Sequence, residues 1–117
     1  MGKVAIVCNG SENSSVYPTF IMGSAAAATG DDVIIFFTPG SVPALMPGYL
    51  ENLKAKGMPS MNELLEGVKA LGGRMVLCEL ALEAKDVTPA DLRDDLEIGG
   101  ATSFIVDIKD AKTTFSF

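Results

Sequence analysis

Apolar positions along the chain follow two different spacings. Three short continuous runs, Lys3 to Cys8 (KVAIVC), Asp32 to Phe37 (DVIIFF) and Arg74 to Cys78 (RMVLC), are bounded by Gly or polar residues. They are rich in β-branched or aromatic side chains, and the lack of polar alternation predicts strands covered on both faces, usually in a parallel sheet. Between them the spacing lengthens to three and four. From Ser14 to Thr29, the apolar or small residues Tyr17, Phe20, Ile21, Ser24, Ala25 and Ala28 share one helical face, and Gly30 stops the helix. Gly23 and the run Ala25 to Ala28 allow close approach to the sheet or to a neighbouring subunit. Ser60 and Glu63 form a capping-box pattern ahead of Met61, Leu64, Leu65, Val68 and Leu71, with Gly72 and Gly73 at the stop.

After the third strand, Glu79 to Lys85 reads as a short helix. Thr88-Pro89 opens another, with a cap and a proline at the first helical position. A very short fourth strand is expected around Ile98. Gly99-Gly100 then precedes a helix to about Ile108, and Thr113 to Phe117 alternates as a final strand. The order predicts one α/β domain over residues 1–117: a three-layer sandwich with a mostly parallel sheet of about five strands. The irregular stretch Thr38 to Pro59 holds four of the six prolines. A loop that long in a small domain is usually functional or in contact with something.

Charge and hydropathy narrow the function. Fifteen acidic against nine basic residues give −6, which opposes binding to a phosphate backbone. No histidine is present, so a Ser-His-Asp triad, a histidine metal site and a histidine pH switch are excluded. A mean hydropathy of +0.31 raises the question of a membrane. The longest uncharged stretch, Val33 to Leu50, is interrupted by Pro39, Pro43, Pro47, Gly40 and Gly48, whereas a spanning helix needs ~20 mainly apolar residues. The first residues lack a secretory pattern, and a cytoplasmic protein is expected. The apolar excess then points to a subunit interface. Two cysteines cannot make a secreted disulfide scaffold, nor a four-ligand zinc site without further donors. No metal-ligand or cofactor pattern stands out.

Sites in parallel α/β sheets lie beyond the carboxyl ends of the strands. Here that edge brings Cys8 with Asn9, Gly10 and Ser11, then Thr38 to Gly40, then Cys78 with Glu79. These residues are the candidate pocket, and Cys78 is the candidate reactive group. Its place before a helix favours the thiolate, while the Glu79 carboxylate works against it. Without a histidine base, the chemistry left to a thiolate is sulfur exchange, where the leaving sulfur is itself stable as an anion. Packing alone would also explain a strand-end cysteine. Asn9-Gly10-Ser11 with Ser14 and Ser15 could form a phosphate loop for a flavin or nucleotide, or an ordinary turn and cap.

The segment RMVLCELALEAKDVTPADLRDDLEIGGATSFI resembles the DsrE/DsrF-like sulfur-relay family, including its TusD-type subunits. The likeness consists of a strand ending in Cys, a short helix, a DL pair, an EIGG turn and a helix with Phe104. AAAATGDDVIIFFTPGSV and MPSMNELLEGVKALGG are similar to the family's first helix with second strand and to its central helix, so nearly the whole chain is covered. The resemblance implies a compact α/β fold assembled into trimers or hexamers, with Cys78 as the persulfide-bearing cysteine. Many members have Ser three positions after that cysteine, where this chain has Ala81. The expected function is a cytoplasmic sulfur carrier that takes sulfane sulfur on Cys78 from a donor protein and passes it to an acceptor thiol. The alternative is a non-catalytic homo-oligomeric module holding a small ligand or partner peptide at subunit clefts. If the strands of Cys8 and Cys78 are neighbours, the two sulfurs could share a sulfane atom.

Overall fold

The computed structural model describes residues 2–117. The three apolar runs form β1 (Lys3–Cys8), β2 (Asp32–Phe37) and β3 (Arg74–Cys78), at the ends the sequence predicts. The helices are α1 (Asn13–Ala28), α2 (Met61–Lys69), α3 (Leu80–Ala84) and α4 (Ala101–Asp107). Two short strands, β4 (Glu97–Gly99) and β5 (Thr113–Ser116), complete the order. All pairings are parallel and the sheet runs β4-β3-β2-β1-β5.

Strand parity divides the core between two faces of this sheet. Val4, Ile6 and Cys8 of β1 join Val33, Ile35 and Phe37 of β2 and Met75 and Leu77 of β3 in the larger cluster, beneath α1 and α2. Ala5, Ile34, Phe36, Val76 and Cys78 face the other way, against Phe104 of α4. Phe36 and Phe104 stack there with centroids 4.5 Å apart. The expected three layers are present but unequal. One face carries two longer helices and the other only the two turns of α4, followed by the partly buried Ile108 and Ala111.

Helix ends follow local chemistry. Ser60 accepts a hydrogen bond from the Glu63 amide at 3.4 Å, which satisfies one orphan donor of α2. Gly30 and Gly72 both stand at positive φ (91° and 85°) just past α1 and α2, where a Cβ would be penalised. Pro18 lies inside α1. It withholds one N–H from the helix ladder, a cost that packing of Tyr17, Thr19 and Phe20 beside it offsets.

Two expectations need correction. The stretch Thr38 to Pro59 is not merely loop: Pro39–Leu45 and Leu50–Asn52 are 3-10 helices. Prolines suit the starts of such tight turns, and the turns bury Val42, Ala44, Leu45 and Leu50 in the larger core cluster. The helix expected after Thr88 amounts to a single 3-10 turn, Pro89–Asp91. Its start is capped as predicted, with the Thr88 amide donating to Asp91 Oδ2 at 2.8 Å. The chain then extends because Leu92 is buried and the Arg93 amide bonds the carbonyl of Leu45 at 3.0 Å.

Candidate functional site

Since every strand runs the same way, all five carboxyl ends open on one edge of the sheet. The β1 and β2 ends do meet, as the sequence suggests. The Thr38 hydroxyl donates to Asn9 Oδ1, and the Thr38 amide bonds the Cys8 carbonyl at 3.1 Å. Gly40 lies so close to Asn9 that a Cβ added to it would sit 2.5 Å from the Asn9 carbonyl oxygen. The Tyr49 hydroxyl donates to the Ser11 carbonyl at 3.2 Å, which ties the proline-rich stretch over the same turn. Asn9, Gly10, Ser11, Thr38 and Gly40 are therefore one interlocked group.

That group does not resemble an anion cradle. The Asn9 amide is already committed to the Phe117 carbonyl at 3.1 Å. Gly10 is closed over by its neighbours, with a Cβ there meeting Glu12 Oε2 at 2.7 Å and Ser15 Oγ at 2.8 Å. Phosphate loops need free N–H groups and no carboxylate beside them. The interlock reads as a packed turn with the Glu12 carboxylate against it, which disfavours a flavin or nucleotide phosphate at that point.

Cys8 belongs to the same packed turn. It has no exposed surface, and its thiol donates to the Gly10 carbonyl at 3.4 Å and the Ser15 carbonyl at 3.9 Å. Burial pushes this thiol above the usual cysteine range. Hydrogen bonds with Thr19 and Gly10 only partly offset it, and the Glu12 charge adds to it. Such a sulfur is protected rather than nucleophilic.

Cys78 ends β3 on the opposite face. Strand order separates it from β1 by the whole of β2. Two interstrand spacings amount to about 10 Å, and a disulfide needs Cα atoms within ~7 Å. The side chains also point away from each other, Cys8 into the larger cluster and Cys78 into the smaller. The conditional pairing of the two sulfurs is therefore overturned: β1 and β3 are not neighbours.

The surroundings of Cys78 come largely from residues not singled out in the sequence. Gly99 of β4 is its register partner, and Gly100 is the N-cap of α4. The Glu79 amide bonds the Gly99 carbonyl at 2.9 Å, and a Cβ on Gly100 would lie 3.1 Å from Glu79 Oε1. Phe36, Val76 and Phe104 pack in the same cluster. The EIGG turn was the available signal, since a fourth strand beside the third must lay those glycines against the strand-end cysteine. Ala81 packs in the larger cluster, on the other side of the sheet from Cys78, so its side chain does not face the thiol.

Access to Cys78 is narrow, at 6 % exposure. A cleft of about 180 Å³ runs along this face past Ile34, Val76, Gly99, Gly100 and Phe104, and Cys78 is not among its walls. Among the described residues no cluster of three or more His, Cys, Asp or Glu side chains could hold a metal ion. No helix there is long and apolar enough to cross a membrane.

Comparison with known proteins agrees with this architecture. The chain is 27 % identical over 142 aligned positions to the sulfur carrier protein DsrE2 of Allochromatium vinosum, covering 87 % of this chain and 89 % of that one. Its fold matches the crystal structure of YchN from E. coli with TM-score 0.76 at 21 % identity, over the full length of both chains. MTH1491 from Methanobacterium thermoautotrophicum matches with TM-score 0.74 at 12 % identity, over 98 % of this chain and 99 % of that one. The family model described as DsrE/DsrF-like matches residues 2–117, and the chain belongs to that family.

Proposed function

We propose that this protein is a sulfur carrier in which Cys78 holds sulfane sulfur as a persulfide. The observation that carries the proposal is the placement of Cys78: the last residue of β3, at the carboxyl edge, beside the Gly99-Gly100 turn. Membership of the family and the sulfur-carrier name of the Allochromatium vinosum relative support the same chemistry. In the inward step the Cys78 thiolate attacks the outer sulfur of a donor persulfide. A bond forms from Cys78 Sγ to that sulfur, the donor's sulfur–sulfur bond breaks, and the donor leaves as a thiolate. In the outward step an acceptor protein's thiolate attacks the carried sulfur, and Cys78 leaves as thiolate. No general base is required once the attacking groups are ionised, in keeping with a chain that has no histidine. Donor and acceptor are proteins bearing thiols, in a reducing, cytoplasmic compartment, and the carrier is a homo-oligomer. Leu80 and Ile105, 68 % and 55 % exposed, are apolar surface for such contacts.

Intact mass after incubation with inorganic polysulfide tests the role of Cys78. The wild type should gain one sulfur atom per chain and Cys78→Ala none. A wild type that gains none, or a Cys78→Ala chain that keeps the adduct in full, would sink the proposal. The low exposure of Cys78 favours a second reading, a non-catalytic oligomeric module with ligand clefts between subunits. That reading expects native Cys78 to resist iodoacetamide and polysulfide alike.

A further inference from the structure

The smaller face of the sheet depends on very little cover. Of the buried side chains in its cluster, Ala5, Ile34, Phe36, Val76 and Cys78 come from the strands, and Phe104 is the one that α4 contributes. No other residue of α4 is buried, and Ile105 and Val106 beside Phe104 are exposed. The partly buried Ile108 and Ala111 add cover only beyond the end of the helix. On the larger face, by contrast, α1 alone buries Val16, Tyr17, Thr19, Phe20, Gly23 and Ala27.

What holds α4 down is equally slight. It has seven residues, and isolated helices shorter than ~12–15 residues are marginal without packing. Its inner hold is the stack of Phe104 on Phe36. Its outer hold is two polar contacts at Asp107: Arg74 Nη1 donates to Oδ2 at 3.4 Å, and Lys3 Nζ donates to the carbonyl. An exposed ion pair of that length contributes little. The Gly99-Gly100 junction joins α4 to β4 with no side chain to anchor it, the kind of point at which a hinge absorbs backbone rotation. Segments with few buried apolar contacts are those that open locally at the lowest free energy.

Cys78 needs such an opening. Its thiol is buried and stands outside the walls of the neighbouring cleft, so a donor or acceptor sulfur has no approach to Sγ. We infer that α4 is a lid over Cys78 and that Phe104 is its gate. The helix swings about Gly99-Gly100, withdraws the Phe104 ring from Phe36 and uncovers the thiol for both steps of sulfur transfer. Closed, the lid keeps a carried persulfide away from small thiols that would strip it. A buried sulfur and a reactive one are then the same residue in two positions of α4. The inference rests on the reading of Cys78 as the sulfur-bearing residue, and names the side chain that controls access to it.

Iodoacetamide alkylation of the native full chain, followed at each cysteine by peptide mass, tests the lid with Cys8 as internal control. Cys8 is buried on the opposite face, so global unfolding frees both thiols while lid opening frees Cys78 alone. Phe104→Ala removes the gate and should speed the labelling of Cys78 by at least about fivefold, with Cys8 unchanged. Phe104→Leu restores an apolar plug without the ring stack and should fall between wild type and Phe104→Ala. A smaller change at Cys78 in Phe104→Ala, or an equal acceleration of Cys8, overturns the proposal. If Phe104→Ala loses its circular-dichroism signal of folding, Phe104→Leu decides alone, by whether Cys78 and not Cys8 labels faster than in wild type. Mass gain from polysulfide on the same chains reports on the carrier reading separately. Faster labelling of Cys78 in chains that take up no sulfur upholds the lid and sinks the carrier. Uptake by the wild type with unchanged labelling in the variants overturns the lid and leaves the carrier.

Discussion

Cys8 and Cys78 are the same residue type at the same kind of position, each the last residue of a central strand. What separates them is parity and neighbourhood. Cys8 lies under α1, with its sulfur bonded to two carbonyls, whereas Cys78 lies on the thinly covered face beside glycines. Strand-end placement is legible in sequence because KVAIVC and RMVLC each stop at a polar or turn residue. Which face each sulfur occupies is not, since it depends on the register between strands distant in the chain. Replacing Cys8 with Ala removes roughly the bulk of one buried methylene and a weak hydrogen bond. The expected cost is about 1 kcal/mol, seen as a lower urea midpoint with unchanged slope. The same variant should take up polysulfide sulfur as fully as wild type. A Cys8→Ala chain that loses the adduct while folded would show that Cys8 serves the carrier chemistry.

Among the elements, those set by local pattern were readable and those set by distant partners were not. The parallel strands, α1 and the cap of α2 follow from apolar spacing, Ser60 and the terminal glycines. The turns of Pro39–Leu45 and Leu50–Asn52 bury apolar side chains from a stretch that looks like loop, because proline content hides a regular 3-10 geometry. The missing helix after Thr88 is decided by Leu92, which is buried in the larger core cluster, and by Arg93, whose amide and guanidinium bond Leu45 and Glu51, more than forty positions away. Of the candidate pocket, the shared carboxyl edge of Asn9, Thr38 and Gly40 was legible from three parallel runs, while their contact was not, because it depends on strand order; the EIGG turn marked Gly99 and Gly100, but only the β3–β4 register lays them beside Cys78. Gly40 makes the sharpest test of the interlock. Its absent side chain faces a backbone oxygen rather than a flexible side chain, so Gly40→Ala must displace either the β1–α1 turn or the first 3-10 helix. Overpacking of this kind costs about 1–3 kcal/mol. Thermal unfolding should show a Tm several degrees lower, and an unchanged Tm would mean that the two turns can separate freely.

At the scale of the whole molecule, the distant end of that proline-rich stretch is tied down by charge. Arg93 is buried, with a side chain only 6 % exposed, and its guanidinium reaches Asp95 at 2.7 Å and Glu51 at 2.7 Å. Lys69 of α2 adds a bond to Asp95 at 2.9 Å, so one network joins the 3-10 stretch, α2 and the segment leading to β4. Burial works against the Asp95 charge, yet the bonds from Arg93 and Lys69 outweigh it and hold this carboxyl below its ordinary range. Hydrogen bonding to Arg93 lowers Glu51 in the same direction, although its greater exposure makes its share of the stability smaller. A lowered folded-state pKa contributes stability that is fully present above the unfolded carboxylate value of about 4. That stability disappears as pH falls through the lower folded value. Arg93→Met leaves Asp95 buried with Lys69 alone, and breaking a buried pair from one side costs about 3 kcal/mol at neutral pH. The stability lost on acidification below about pH 4 should shrink in the variant, because the native-state preference for ionised Asp95 and Glu51 is weakened. Urea unfolding across acid and neutral pH measures both effects together. If the two chains lose stability in parallel as pH falls, the network does not supply the acid sensitivity, and carboxylates at other ion pairs such as Arg74–Glu97 must account for it.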